Sequence, residues 1–153
     1  MSLIRSLSAF AVLATLAACN GDPVGPSTAL SADAASRTAS APAPAGAALT
    51  GRTIIFLAKA ETSPYAGAKG AAKYDVRKPS KPEFEIEVEH LPAGTAVDFY
   101  LGDVKIGSAT ADSMGEANLE LAAERGQTVP VPTGGTIAQA RLADGRVLVS
   151  GSF

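Results

Sequence analysis

Four glutamates at alternating positions, Glu83, Glu85, Glu87 and Glu89, run directly into the chain's one histidine, His90. Alternation by two puts all four carboxylates on one face of a β-strand. Clustered oxygens of that kind suit a hard cation such as calcium. They equally suit a solvated outer face when the neighbouring strand supplies cations, here Lys73 and Arg77. A copper or zinc site needs two or more His or Cys ligands at defined spacing, and His90 stands alone. Serines and aspartates abound, yet none sits in a nucleophile-elbow pattern that would make His90 part of a triad. Glu83, Glu85, Glu87, Glu89 and His90 are therefore kept only as weak metal-ligand candidates, and no cofactor and no catalytic residue is expected. The turn Asp112-Ser113-Met114-Gly115-Glu116 has too few ligands for an EF-hand loop. Gly67 to Gly70 with Lys69 lacks the Gly-Lys-Ser/Thr ending of a phosphate-binding loop. Lys69, Lys73 and Arg77 do not form a nucleic-acid surface with Tyr74, which alternation sends to the opposite face.

The other reactive side chain is Cys19, the chain's one cysteine, which excludes a disulfide framework. Ahead of it lie Arg5 and then Ala9 to Ala18, apolar apart from Thr15. That run has the length of a signal-peptide core and falls short of the roughly 20 apolar residues a spanning helix needs. Asn20-Gly21-Asp22-Pro23 ends it. Leu16-Ala17-Ala18-Cys19 resembles the lipobox of bacterial lipoproteins: an aliphatic residue, two small ones, then cysteine. The resemblance implies diacylglycerol on the Cys19 sulfur, cleavage before Cys19, and acylation of the new amino terminus. Each buried methylene stabilises attachment by roughly 0.8 kcal/mol, so two or three chains anchor permanently where one does not. In enterobacterial lipoproteins an aspartate after the cysteine marks inner-membrane retention. Asn20 stands there, so the resemblance implies an exported protein of the cell envelope, held at the outer membrane.

From Asn20 to about Leu49 the composition changes to mostly Ala, Ser, Pro, Gly and Thr with almost no large apolar side chain, which predicts a disordered linker. Its r.m.s. reach as a flexible coil is roughly 30 Å. The organisation expected is thus a signal peptide over 1–18, a lipidated cysteine and linker over 19–49, and one folded domain over 50–153. The whole chain carries 13 basic and 15 acidic side chains; losing Arg5 with the leader leaves 12 against 15, a charge of −3. That balance argues against nucleic acid as a partner.

The domain reads as all-β throughout, with period-two alternation between turn residues. Arg52 to Glu61 is apolar on both faces (Ile54, Ile55, Phe56, Leu57), which predicts a strand covered on both sides. Further strands are predicted around Ala72 to Val76, Glu83 to Glu89, Val97 to Leu101, Val104 to Thr110, Ala117 to Leu121, Ala138 to Leu142 and Val147 to Phe153. Five hairpins follow from the turn residues between them. Lys78 to Pro82 sets Arg77 opposite Glu83, Tyr74 opposite Ile86 and Lys73 opposite Glu87. Leu91 to Gly94 sets Val88 opposite Val97 and Ile86 opposite Phe99. Gly102-Asp103 sets Leu101 opposite Val104 and Phe99 opposite Ile106. Asp112 to Gly115 sets Thr110 opposite Ala117 and Ile106 opposite Leu121, and Asp144-Gly145 sets Leu142 opposite Val147. The expected architecture is a single small antiparallel β-sandwich or partly closed barrel of seven or eight strands. It is mostly hairpin-connected, with a five-strand meander from Ala72 to Leu121 and at most one helical turn between Glu120 and Gln127.

Leu91-Pro92-Ala93-Gly94-Thr95, Tyr100-Leu101-Gly102, Ile106-Gly107, Asp144-Gly145 and Gly151-Ser152-Phe153 together resemble small exported bacterial β-domains of unassigned function. Similar leucine-proline-x-glycine-threonine turns occur in immunoglobulin-like and prealbumin-like surface modules. These are turn residues, so the likeness implies a fold and carries over no catalytic position. The expected function is a membrane-tethered envelope lipoprotein presenting a β-module with a binding or structural role, not an enzyme. Its expected partners are the bilayer, through acylated Cys19, and an envelope protein or small ligand. The alternative is a lipoprotein that binds a small ligand or a calcium or copper ion.

Overall fold

The structure is a computed structural model that describes residues 44–153; the expected leader, Cys19 and the expected linker through residue 43 lie outside the described residues. Eight strands form where the alternation places them: β1 Arg52–Lys59, β2 Lys69–Asp75, β3 Glu83–Glu89, β4 Ala96–Leu101, β5 Val104–Thr110, β6 Ala117–Ala122, β7 Ile137–Arg141 and β8 Val147–Ser152. A 3-10 turn over Ala123–Arg125 closes on Gly126, whose φ of 73° lets the chain reverse.

The strands join in the order β5-β4-β7-β8-β1-β2-β3-β6, with every neighbouring pair antiparallel. β1 is shared between two walls: Arg52 to Leu57 pair with β2, while Ala58 and Lys59 pair with β8. The two free edges, β5 and β6, meet without a ladder. Leu119 leans across this seam, so that a Cβ on Gly107 would fall 2.6 Å from its Cδ2 atom. The result is a nearly closed barrel. Phe84, Ile86, Phe99, Phe153, Leu57 and Leu148 fill it, and no polar side chain is buried among the described residues.

The meander does not form. Val88 faces Ala117 and Ile86 faces Leu119, so β3 pairs with β6 where the turn chemistry predicts β4. Leu91 to Gly94 instead carries the chain to the opposite wall, tied down by Leu91 N donating to Gly115 O at 3.0 Å and Gly94 N to Ala111 O at 2.8 Å. The Asp112 to Gly115 turn is present, but the strands it joins diverge: Thr110 faces Ala96 and Ala117 faces Val88.

The other three hairpins form with local changes of register. In β2–β3 the pairing slips by two residues, so Tyr74 faces Phe84 and Lys73 faces Glu85. The ladder ends at Asp75, whose carboxylate accepts from the Arg77 N and Nε atoms, while Val76 N donates to Gly51 O at 2.7 Å. Both contacts take the chain out of the ladder before Arg77 can meet Glu83. An even slip preserves every face. In β4–β5 Leu101 does face Val104, but a bulge puts Phe99 opposite Gly107 instead of Ile106. In β7–β8 Ala140 faces Val149, whereas Arg141 faces Val147 and Leu142 N donates to Arg146 O at 2.9 Å. The loop is therefore the three residues Ala143, Asp144 and Gly145, with Gly145 at φ 87°.

Two further expectations are corrected. Phe56 is 50 % exposed, so β1 is covered on one face only. Gly46 to Leu49 belong to the domain although their composition resembles the linker. Gly46 N donates to Gly134 O, Gly134 N donates to Ala47 O, and the Leu49 side chain enters the core.

Candidate functional site

The outer face of the β1-β2-β3-β6 wall holds the residues singled out as reactive. Period-two alternation arranges them in columns: Arg52, Ile54 and Phe56 on β1, Lys69, Ala71 and Lys73 on β2, the four glutamates on β3, and Asn118 and Glu120 on β6. Cross-strand neighbours in such columns sit close enough to interact directly.

Glu85 and Glu89 are tied to neighbouring cations. Glu85 pairs with Lys73 and accepts from Asn118 Nδ2 at 3.2 Å. Glu89 pairs with Lys69 at 3.0 Å. His90 lies at the far end of β3 with its ring 3.9 Å from Glu89 Oε2 and a side chain 56 % exposed. Its φ of 64° is a left-handed turn conformation that histidine tolerates better than most residues, which explains its place at the strand end. Among the described residues no three His, Cys, Asp or Glu side chains converge as metal ligands would.

The Lys73 ammonium, helped by Asn118, holds the Glu85 carboxyl below the usual glutamate range. Glu85 thus binds its proton less readily folded than unfolded. The resulting stability is present above the unfolded value of about 4.3 and lost as pH falls through the folded value. Because the register puts Glu85 opposite Lys73 and not Asp75, Glu85→Ala should destabilise modestly, by about 0.5–1 kcal/mol after solvent screening. Thermal melts between about pH 6 and pH 3 check this: the difference between wild type and variant should shrink toward the acid end. A stabilised variant would contradict the observed pairing.

Beside the charges lies an open groove of about 400 Å³, floored by Ala71 and walled by Ile54, Phe56, Arg52, Lys73, Glu85 and Glu87. Ala71 makes the dip because it is the small residue in a column of lysines. Phe56 and Ile54 present apolar surface to solvent at one side, and the Lys73–Glu85 pair closes the other. No histidine, cysteine or hydroxyl nucleophile lines this groove. The groove can take up an apolar group beside charged neighbours.

The outer face of the opposite wall offers a contrast. Lys105 pairs with Asp98 at 2.8 Å and Ser108 donates to the same carboxylate. Arg141 stacks over the Tyr100 ring at 4.2 Å and donates to Gln139 Oε1. Its polar groups satisfy one another.

The groove was not legible in the sequence. The run Ile54-Ile55-Phe56-Leu57 looks the same whether its second face is covered or bare, and only the packing of the described residues, which leaves Phe56 half exposed, distinguishes the two. Cys19, the lipidation candidate, lies outside the described residues. No helix among the described residues is long and apolar enough to cross a membrane. A scan against protein-family models finds no match to this chain, and a search of curated proteins finds none either.

Proposed function

We propose that the protein is a lipid-tethered envelope module, anchored through Cys19 at the outer membrane and presenting its β-barrel as a non-catalytic binding domain. The tether rests on Leu16-Ala17-Ala18-Cys19 behind a short apolar leader, with the chain's one thiol at the lipobox position. The observation that carries the binding role is Phe56, half exposed on an otherwise charged sheet face and forming one wall of a groove. With Ile54 and Ala71 it makes a contiguous apolar strip rimmed by charged side chains, and such a rimmed strip suits a partner. The pairings of Glu85 with Lys73 and Glu89 with Lys69 favour this reading over the calcium or copper alternative.

Replacing the thiol tests the tether. Cys19→Ser should abolish labelling with radioactive palmitate and move the protein from the membrane to the soluble fraction, since only a thiol accepts the diacylglycerol. Continued labelling and membrane fractionation of the serine variant would refute the tether.

A further inference from the structure

The antiparallel order sorts the connections into two ends of the barrel. At one end lie residues 44–51, the β2–β3 loop 76–82, the Gly102-Asp103 turn and the 123–136 connection. The N-terminal chain reaches the domain at this end: Gly46 and Ala47 bond to Gly134, and Gly51 O accepts from Val76 N. These connections carry four basic side chains, Arg77, Lys78, Lys81 and Arg125, against two acidic ones, Asp103 and Glu124. The connections at the other end, residues 60–68, 90–95, 111–116 and 142–146, carry four acidic side chains, Glu61, Asp112, Glu116 and Asp144, against Arg146. The connections are therefore net positive at the end where residue 44 enters and net negative at the far end, although Asp75 and Glu83 on the strand ends offset part of the positive excess.

The positive charge is concentrated in one loop. Arg77 to Lys81 line its exposed rim, and the loop 76–82 contains no acid. Arg77 folds back on Asp75 and Lys81 pairs with Glu124. Lys78 makes no ion pair within 4 Å among the described residues; Glu124 feels it only through space. Pro79 and Pro82 restrict the loop's backbone and limit the entropy lost on docking.

We infer that the Arg77-Lys78-Pro79-Ser80-Lys81 loop docks on anionic lipid headgroups and turns the tethered barrel with its N-terminal end toward the bilayer. The inference rests on the lipid tether at Cys19. A tether confines the barrel within a few tens of ångströms of the surface, so even a weak attraction per residue sets its orientation. Each basic side chain near an anionic surface contributes attraction that falls away within a Debye length. The phosphate of a headgroup is the acceptor, and the lysine ammonium groups are the donors. The groove at Phe56 then stays on the barrel's flank, open to a partner.

The test uses the chain from Cys19 onward, which keeps every described residue. Its one thiol is coupled to a maleimide lipid in vesicles of phosphatidylcholine, with or without phosphatidylglycerol. Lysine acylation rates are read residue by residue by mass spectrometry. Lys78 and Lys81 should react roughly fivefold more slowly on the anionic vesicles, while Lys59 at the opposite end should not change. High salt should remove the difference, and Lys78→Glu should remove the protection of Lys81. Equal rates on both vesicle types, or equal slowing of Lys59, would overturn the inference. Chemical coupling supplies the lipid whether or not the cell does, so palmitate labelling alone decides the tether and these rates alone decide the orientation.

Discussion

Phe84→Ala should lower the unfolding free energy by about 3–5 kcal/mol, a large share of the roughly 5–15 kcal/mol expected for a domain of this size. Phe84 is fully buried on β3, with Tyr74 and Leu121 as its ladder neighbours on β2 and β6. Its ring lies 6.1 Å from that of Phe153 at an angle of 49°, a tilted pair that ties β3 to the end of β8. Removing the ring deletes the transfer free energy of its carbons and leaves a cavity. The surrounding strands, held by ladders on both sides, collapse into such a cavity only in part. Urea unfolding should show a lower midpoint with an unchanged slope, the mark of lost stability without a change in the surface exposed. A loss below about 1 kcal/mol would mean the barrel refills the space and that Phe84 is not central to it. Glu85→Ala, one residue along and on the opposite face, supplies the contrast within a single strand.

That contrast follows from what was legible in the sequence. Alternation reports which face a side chain takes, so all eight strands and the inward set Tyr74, Phe84, Ile86, Val88, Val97 and Phe99 are readable from the chain alone. Alternation does not report which strand lies alongside. Every inward position of a barrel is apolar, so almost any two strands laid together put apolar opposite apolar. The pairing of Val88 with Val97 meets that condition and does not exist, because Val88 faces Ala117. The expected partner of Lys73 lies two residues from the true one for the same reason, since an even slip changes neighbours without changing faces. Asp75 bonding Arg77 and Val76 N bonding Gly51 O accompany the observed register, local contacts that period-two reasoning does not contain. The acidic row of the candidate site is visible in the chain, but its ion-pair partners and the groove beside it depend on pairings that alternation leaves open.

Gly115→Ala should cost about 3 kcal/mol, well beyond the usual effect of one added methyl group at a turn. Gly115 sits where the two crossing connections meet, the β3–β4 link and the β5–β6 turn. Leu91 N donates to its carbonyl at 3.0 Å, and the Asp112 side chain braces the same turn by accepting from Met114 N at 2.8 Å and Glu116 N at 3.1 Å. Two penalties combine at this position. Its φ of 81° is left-handed, which costs an L-residue about 1–2 kcal/mol. A Cβ there would also overlap the Leu91 carbonyl oxygen, a backbone atom with no rotamer to escape into. Leu91 is held by its own buried side chain, so relief would require moving the crossover itself. Gly145→Ala separates the two effects, because Gly145 has a φ of 87° and a Cβ added there would meet nothing within 4 Å. It should show the backbone penalty alone. Chemical denaturation of the two variants side by side should find the Gly115 loss larger by about 1–2 kcal/mol. Equal losses would mean that the Leu91–Gly115 contact yields freely and does not hold the two walls in register. A larger loss at Gly115 would show that the crossing, which the turn residues alone disguised as two hairpins, is held rigidly by the Leu91–Gly115 contact.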